Sequence, residues 1–168
     1  MNSPFAAIFL ALQARIAGQL SAVRYIEQDL GQLKNSRPPV SWPCILIDFE
    51  DFSFGDLSEN VQTASGTVVL QLGFAPYSAS SQATPGTNID LALGFFDLEW
   101  SLHRILQGWS PGDSFGSLNR RETTTQKRND KYRVREIRYT VAFEDYSAKL
   151  TQTLVPATIL ISEQVNVR

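Results

Sequence analysis

Thr67 to Phe74 alternates with a strict period of two: Val68, Leu70, Leu72 and Phe74 fall on one side, Thr67, Val69 and Gln71 on the other. That period marks a β-strand with one face buried. It commits the chain to a sheet whose apolar side must be covered by something else. Two segments have the spacing to cover it. Phe5, Ile8, Phe9, Leu12, Ile16 and Leu20 recur at helical intervals behind Ser3 and Pro4, which suit an N-cap and a first helical position. Leu91, Phe95, Leu98, Leu102, Ile105 and Trp109 make a second stripe, opened by Asn88 and stopped by Gly108 and Ser110-Pro111-Gly112. Phe9, Leu12, Leu70, Leu72, Phe95, Leu102 and Val141 are the expected core.

Further strands surround these elements. Val23 to Glu27 alternates weakly and fades by Leu33, ahead of a break at Lys34-Asn35-Ser36-Arg37-Pro38-Pro39. Trp42-Pro43 leads into Cys44-Ile45-Leu46-Ile47-Asp48-Phe49, an apolar run too short for a helix. A polar loop spans Pro76 to Thr87. Ser117–Gln126 and Lys131–Asp145 flank Lys127-Arg128-Asn129-Asp130, a turn sequence, and so form a hairpin. Ile137, Tyr139, Val141 and Phe143 share one face, but Arg133 and Arg135 fall in phase with them nearer the turn, which predicts an arm projecting beyond the core. After Pro156, Ile159, Ile161, Val165 and Val167 alternate once more. The fold class is therefore α+β: a mostly antiparallel sheet packed against two helices, with a projecting hairpin arm.

With 168 residues the chain is one domain's length and long enough to build a core without staples. One cysteine, Cys44, excludes an intrachain disulfide, and one histidine, His103, leaves multi-His metal chemistry without ligands. Glu99 lies four residues before His103 and can reach it on a helix, but no third group completes a catalytic arrangement, so His103 reads as structural. Cys44, between Pro43 and Ile45, reads as a small core residue with no cation to activate it. The expectation is a non-enzyme with no cofactor and no metal. No apolar run is long enough to span a membrane, and Phe5 to Leu12, with no basic residue before it, reads as core helix rather than leader.

Charge is distributed unevenly. Between Ser117 and Arg138 eight bases stand against three acids, a local net of +5 in a chain whose net is -2. Asp48, Glu50, Asp51, Asp56 and Glu59 crowd a second stretch that carries no base and includes Phe49, Phe52 and Phe54. A basic arm and an acidic, aromatic loop on one molecule suit head-to-tail self-association, in which two different patches pair and a ring closes. The candidate interface residues are Glu50, Asp51, Phe52, Phe54, Asp56 and Glu59 on one side, and Arg120, Arg121, Arg128, Arg133 and Arg135 on the other. Two solvated loops without a partner, or an arm that neutralises nucleic-acid phosphates, are the competing readings.

The order of elements, from the capped helix through Trp42-Pro43-Cys44-Ile45-Leu46-Ile47, the alternating Val68 to Phe74, the helix near Asn88-Ile89-Asp90 and the strand Tyr132 to Tyr146, resembles the tail terminator and tail completion proteins of long-tailed bacteriophages. The resemblance covers residues 3 to 146 and carries no residue-level motif. It implies a domain over 1–146 followed by a C-terminal extension, 147–168, with one strand. It also implies a virion structural protein, assembled in the host cytoplasm, that forms a hexameric ring at the head-proximal end of the tail tube. The implied partners are further copies of the chain, the tail tube protein and the head-tail connector protein, with DNA passing through the lumen without sequence-specific binding and no membrane. Alternatives are a component of a phage-derived contractile or secretion apparatus, or a small nucleic-acid-binding module using the basic hairpin.

Overall fold

A computed structural model describes residues 3–58, 60–75, 86–130 and 132–149. Two helices cover one face of a five-stranded sheet, α1 (Pro4–Gln19) and α2 (Gly86–Leu106). The strands are β1 (Tyr25–Gln28), β2 (Cys44–Ser58), β3 (Val61–Phe74), β4 (Asn119–Gln126) and β5 (Arg133–Asp145). They lie in the order β1-β2-β3-β5-β4, with β1 parallel to β2 and every other pair antiparallel. The α+β class read from the sequence is the observed one.

Pro4 opens α1 behind Ser3, whose carbonyl accepts from the Ala7 N–H at 3.0 Å. Ile8, Leu12 and Ile16 form its buried line, at i, i+4 and i+8. Phe9, expected in the core, sits about 100° round the helix from Ile8 and is only partly buried. The helices close over Ile45, Ile47, Val68, Leu70, Leu72, Phe74, Ile137, Tyr139, Val141 and Phe143 in one apolar cluster, where Leu12, Leu70, Leu72, Phe95, Leu102 and Val141 stand as expected. Residues 29–43 cross one end of the other face. There Leu33, Cys44, Leu46 and Val134 make a second, smaller cluster under Trp42.

Two expectations need correction. The acidic stretch is not a loop: β2 runs on to Ser58, so Glu50, Asp51 and Asp56 are strand residues paired with Thr67 to Gln62 of β3 or set in its bulge. Cross-strand pairing overrides the poor strand propensity of the acids. The basic hairpin is not a free arm. β5 pairs along its whole length with β3, and its turn end is held down, because Tyr132 stacks on Trp42 (ring centroids 4.9 Å apart) and Arg128 donates to the carbonyls of Leu33 and Asn35. Of the expected loop at 76–87, residues 76–85 lie outside the described residues and the last two belong to α2, which begins at Gly86 rather than at Asn88; the alternating tail at 158–167 also lies outside the described residues.

A bulge decides how the acidic strand is used. Glu50 faces Thr67 and Ser53 faces Ser65, so β2 carries one more residue than β3 between these pairs, with Asp51 at a φ of 56°. The extra residue turns Phe52 towards the helices, into contact with Phe5, Phe49 and Phe143. Gly66 makes room for it: a Cβ there would lie 2.4 Å from the Phe52 ring.

Candidate functional site

The sequence nominated two charged surfaces, and the structure sorts their residues into those spent within the chain and those left open. Among the bases, Arg135 makes a two-pronged ion pair with Glu99 of α2, its Nε and Nη2 donating to the two carboxylate oxygens at 2.8 Å each. Both side chains are mostly buried. Arg133 lies over the Phe95 ring, 3.4 Å from its centroid, with burial and the neighbouring Arg135 holding its pKa below the ordinary arginine value. Arg128 pairs with Asp130, whose hydrogen bond raises the arginine's pKa. Arg138, counted in the basic stretch but not among the candidate interface residues, gathers Glu136, Glu50 and Asp51 on the sheet face away from the helices. That network takes Glu50 out of any free acidic patch. Its only trace in the sequence is the counting of parity across three strands, which needs the register.

Arg120 and Arg121 remain exposed on β4. The Arg121 Nε donates to the Thr140 hydroxyl at 3.2 Å, and the Arg120 backbone N–H donates to the Gln107 side-chain Oε1 at 3.0 Å. On the acidic side Asp51 is largely open, Asp56 accepts from Gln62 at 2.9 Å, and Glu59 lies outside the described residues. Phe52 belongs to the core margin, whereas Phe54 and Leu57 are 49% and 54% exposed. The structure does not bring the two nominated surfaces together within one chain. They flank the sheet on opposite sides, β4 at one edge and the outer half of β2 towards the other.

The remaining chemistry is structural. Glu99 is committed to Arg135, so the Glu99–His103 pair the sequence permits is replaced. The His103 Nδ1 instead meets the Tyr139 hydroxyl at 3.4 Å. Burial, with Arg120 nearby, lowers the His103 pKa from 6.5. Burial also pushes the Cys44 thiol up to about 12, which leaves it protonated and inert. No cluster of three metal-ligating side chains occurs among the described residues. An open groove of about 710 Å³ between the outer β2–β3 hairpin and residues 113–116 is lined by Ser53, Phe54, Ser65, Phe115, Phe143 and Glu144 among others, with no histidine or cysteine in its wall.

No protein-family model and no curated protein matches the chain. Among solved structures, a chain of "Virion of native gene transfer agent (GTA) particle" is similar over 84% of this chain and 95% of that one, with 14% identity and a TM-score of 0.49. A likeness of that degree assigns this chain neither a role nor a partner.

Proposed function

We propose that the chain is a virion structural protein: one subunit of a ring, hexameric in the family it resembles, at the head-proximal end of a phage tail tube. The ring ends tube polymerisation and offers its far face to the head-tail connector protein. The observation that carries the reading is the pair of unlike open surfaces. A basic edge, Arg120 and Arg121 on β4, and an acidic, apolar edge, Asp51, Phe54 and Asp56 on β2, lie on opposite flanks of a single helix-backed sheet. A contact between unlike patches is heterologous, and it builds a ring when its rotation closes. The mechanism is steric: a ring face that mates with the tube on one side and differs on the other stops further addition. The nucleic-acid reading loses ground because Arg128, Arg135 and Arg138 are neutralised within the chain and unavailable to phosphates.

Size-exclusion chromatography with light scattering, followed by negative-stain imaging of the full chain, tests the proposal. A closed ring of fixed copy number, which caps a growing tail tube when added to it, is the expected result. A chain that stays monomeric at every concentration, or binds DNA with a steep salt dependence while monomeric, overturns it.

A further inference from the structure

β4 pairs only with β5 among the described residues, and β1 pairs with β2 only from Cys44 to Ile47. The sheet therefore has two open stretches of backbone, β4 beyond Arg120, whose N–H donates to Gln107, and the outer part of β2 around residues 51–58. Such edges are templates for another strand. β2 runs antiparallel to β3, β3 to β5, and β5 to β4, so β2 and β4 point in opposite directions. A second copy related by rotation would thus present its β2 antiparallel to the first copy's β4. That sense sets Arg120 and Arg121, at the start of β4, against the Asp56 end of β2.

The helix side of the two edges fits as well. Phe54 lies directly opposite Ala64, which lies opposite Phe143, and both of those belong to the buried cluster, so Phe54 is on the helix side. Its ring is 49% exposed, on the wall of the open groove it shares with Phe115 and Phe143. Along α2, Ile105 turns towards α1, where its carbonyl accepts from the Arg15 Nε at 2.9 Å. Glu99 and His103 reach Arg135 and Tyr139 of β5. At 100° per residue, Phe96 and Trp100 then fall on the flank away from α1, beside the β4 edge. They are 48% and 59% exposed.

We propose, building on the ring reading above, that the subunit contact is a joined sheet. The outer β2 of one copy adds antiparallel to β4 of the next, and its Phe54 packs under the α2 flank formed by Phe96 and Trp100. Backbone bonds and the aromatic contact hold the join, while Arg120 and Arg121 against Asp56 choose the partner. Because β4 is level with Ile47, through the pairs Thr123 to Ile137, Ile137 to Leu70 and Leu70 to Ile47, whereas the open part of β2 centres on Gly55, neighbours are staggered. Counted on β3, which carries no bulge here, Leu70 to Thr63 is seven residues, and at about 3.3 Å each the stagger is about 23 Å along the strands.

Two proteins, each carrying one engineered cysteine, test the join when mixed and oxidised. Cys44 is buried and stays out of the reaction. Thr124 is opposite Glu136, on the face away from the helices, as are Ser53 and Gly55 opposite Ser65 and Thr63. Thr124→Cys should therefore link to Ser53→Cys or Gly55→Cys and not to Phe54→Cys. Thr124→Cys mixed with Ile161→Cys reports capture of the edge by the C-terminal segment instead. In parallel, Phe54→Ser should raise the concentration needed for assembly about tenfold or more, while the melting temperature of the dissociated subunit at high dilution changes little. A ring whose links follow no such parity, or whose β4 links only to Ile161→Cys, overturns the joined sheet and leaves the ring standing. A monomer with no links at all overturns both.

Discussion

β4 and β5 are the two arms of one hairpin and both are rich in arginine, yet their arginines have opposite fates. β5 is an interior strand, flanked by β3 and β4, with α2 over one face and the outer β2 acids beside the other. Arg133, Arg135 and Arg138 therefore each meet a ring or a carboxylate of their own chain. β4 is an edge with no described strand beyond it, only the Gln107 side chain at its start, and the Arg120 and Arg121 side chains are exposed. Charge density along a sequence is thus a poor guide to available charge. Whether an arginine is surface or scaffold depends on how many strands lie outside it.

The sharpest way to break the comparison is to truncate a neighbouring position on each arm. Ile137→Ala, fully buried on β5, should cost about 2–5 kcal/mol in denaturant unfolding. Thr124→Ala on β4 should stay within about 0.5 kcal/mol. Equal losses would show that β4 is covered. Next, Glu99→Ala strands the mostly buried Arg135 without its counter-charge and should cost about 3 kcal/mol. Replacing both partners by apolar residues, as Glu99→Leu with Arg135→Met, should recover most of that loss, since the penalty lies in the unpaired charge. For the same reason, reversing charge at Arg133 and Arg135 is expected to destabilise the monomer, not merely its assembly.

Reversal on the edge is the contrasting case. Arg120→Glu with Arg121→Glu should change monomer stability by less than about 0.5 kcal/mol, weaken ring formation in light scattering, and be partly rescued by Asp56→Lys. Assembly that ignores both changes would place the partner elsewhere. The smallest effect concerns His103, which sits between the arms' environments, touching Tyr139 of β5, its pKa lowered by burial and then by Arg120 of β4. With its folded pKa below 6.5, the unfolded chain takes up the proton first as the pH falls. Its contribution is intact above about pH 6.5 and declines below it. The drop in melting temperature between pH 7 and pH 5 should therefore be smaller in His103→Gln than in the wild-type chain.

Periodicity and chain chemistry alone determined a good deal of this protein. The stripe Ile8, Leu12, Ile16 and the alternation of Val68 to Phe74 and Ile137 to Phe143 each record a local period that any fold must honour, so helices, sheet and core were legible. The charge asymmetry was legible too. Strand order, the bulge at Asp51 and the partners of Arg133, Arg135 and Arg138 were decided by the tertiary structure. They depend on which residues, distant in sequence, become neighbours across a ladder, and a one-residue shift of register moves every side chain to the other face. Glu50 and Arg138 are separated by 88 positions and meet only because β2, β3 and β5 align. Composition could reveal that acids and bases were segregated, but only the sheet could say which of them had already found each other.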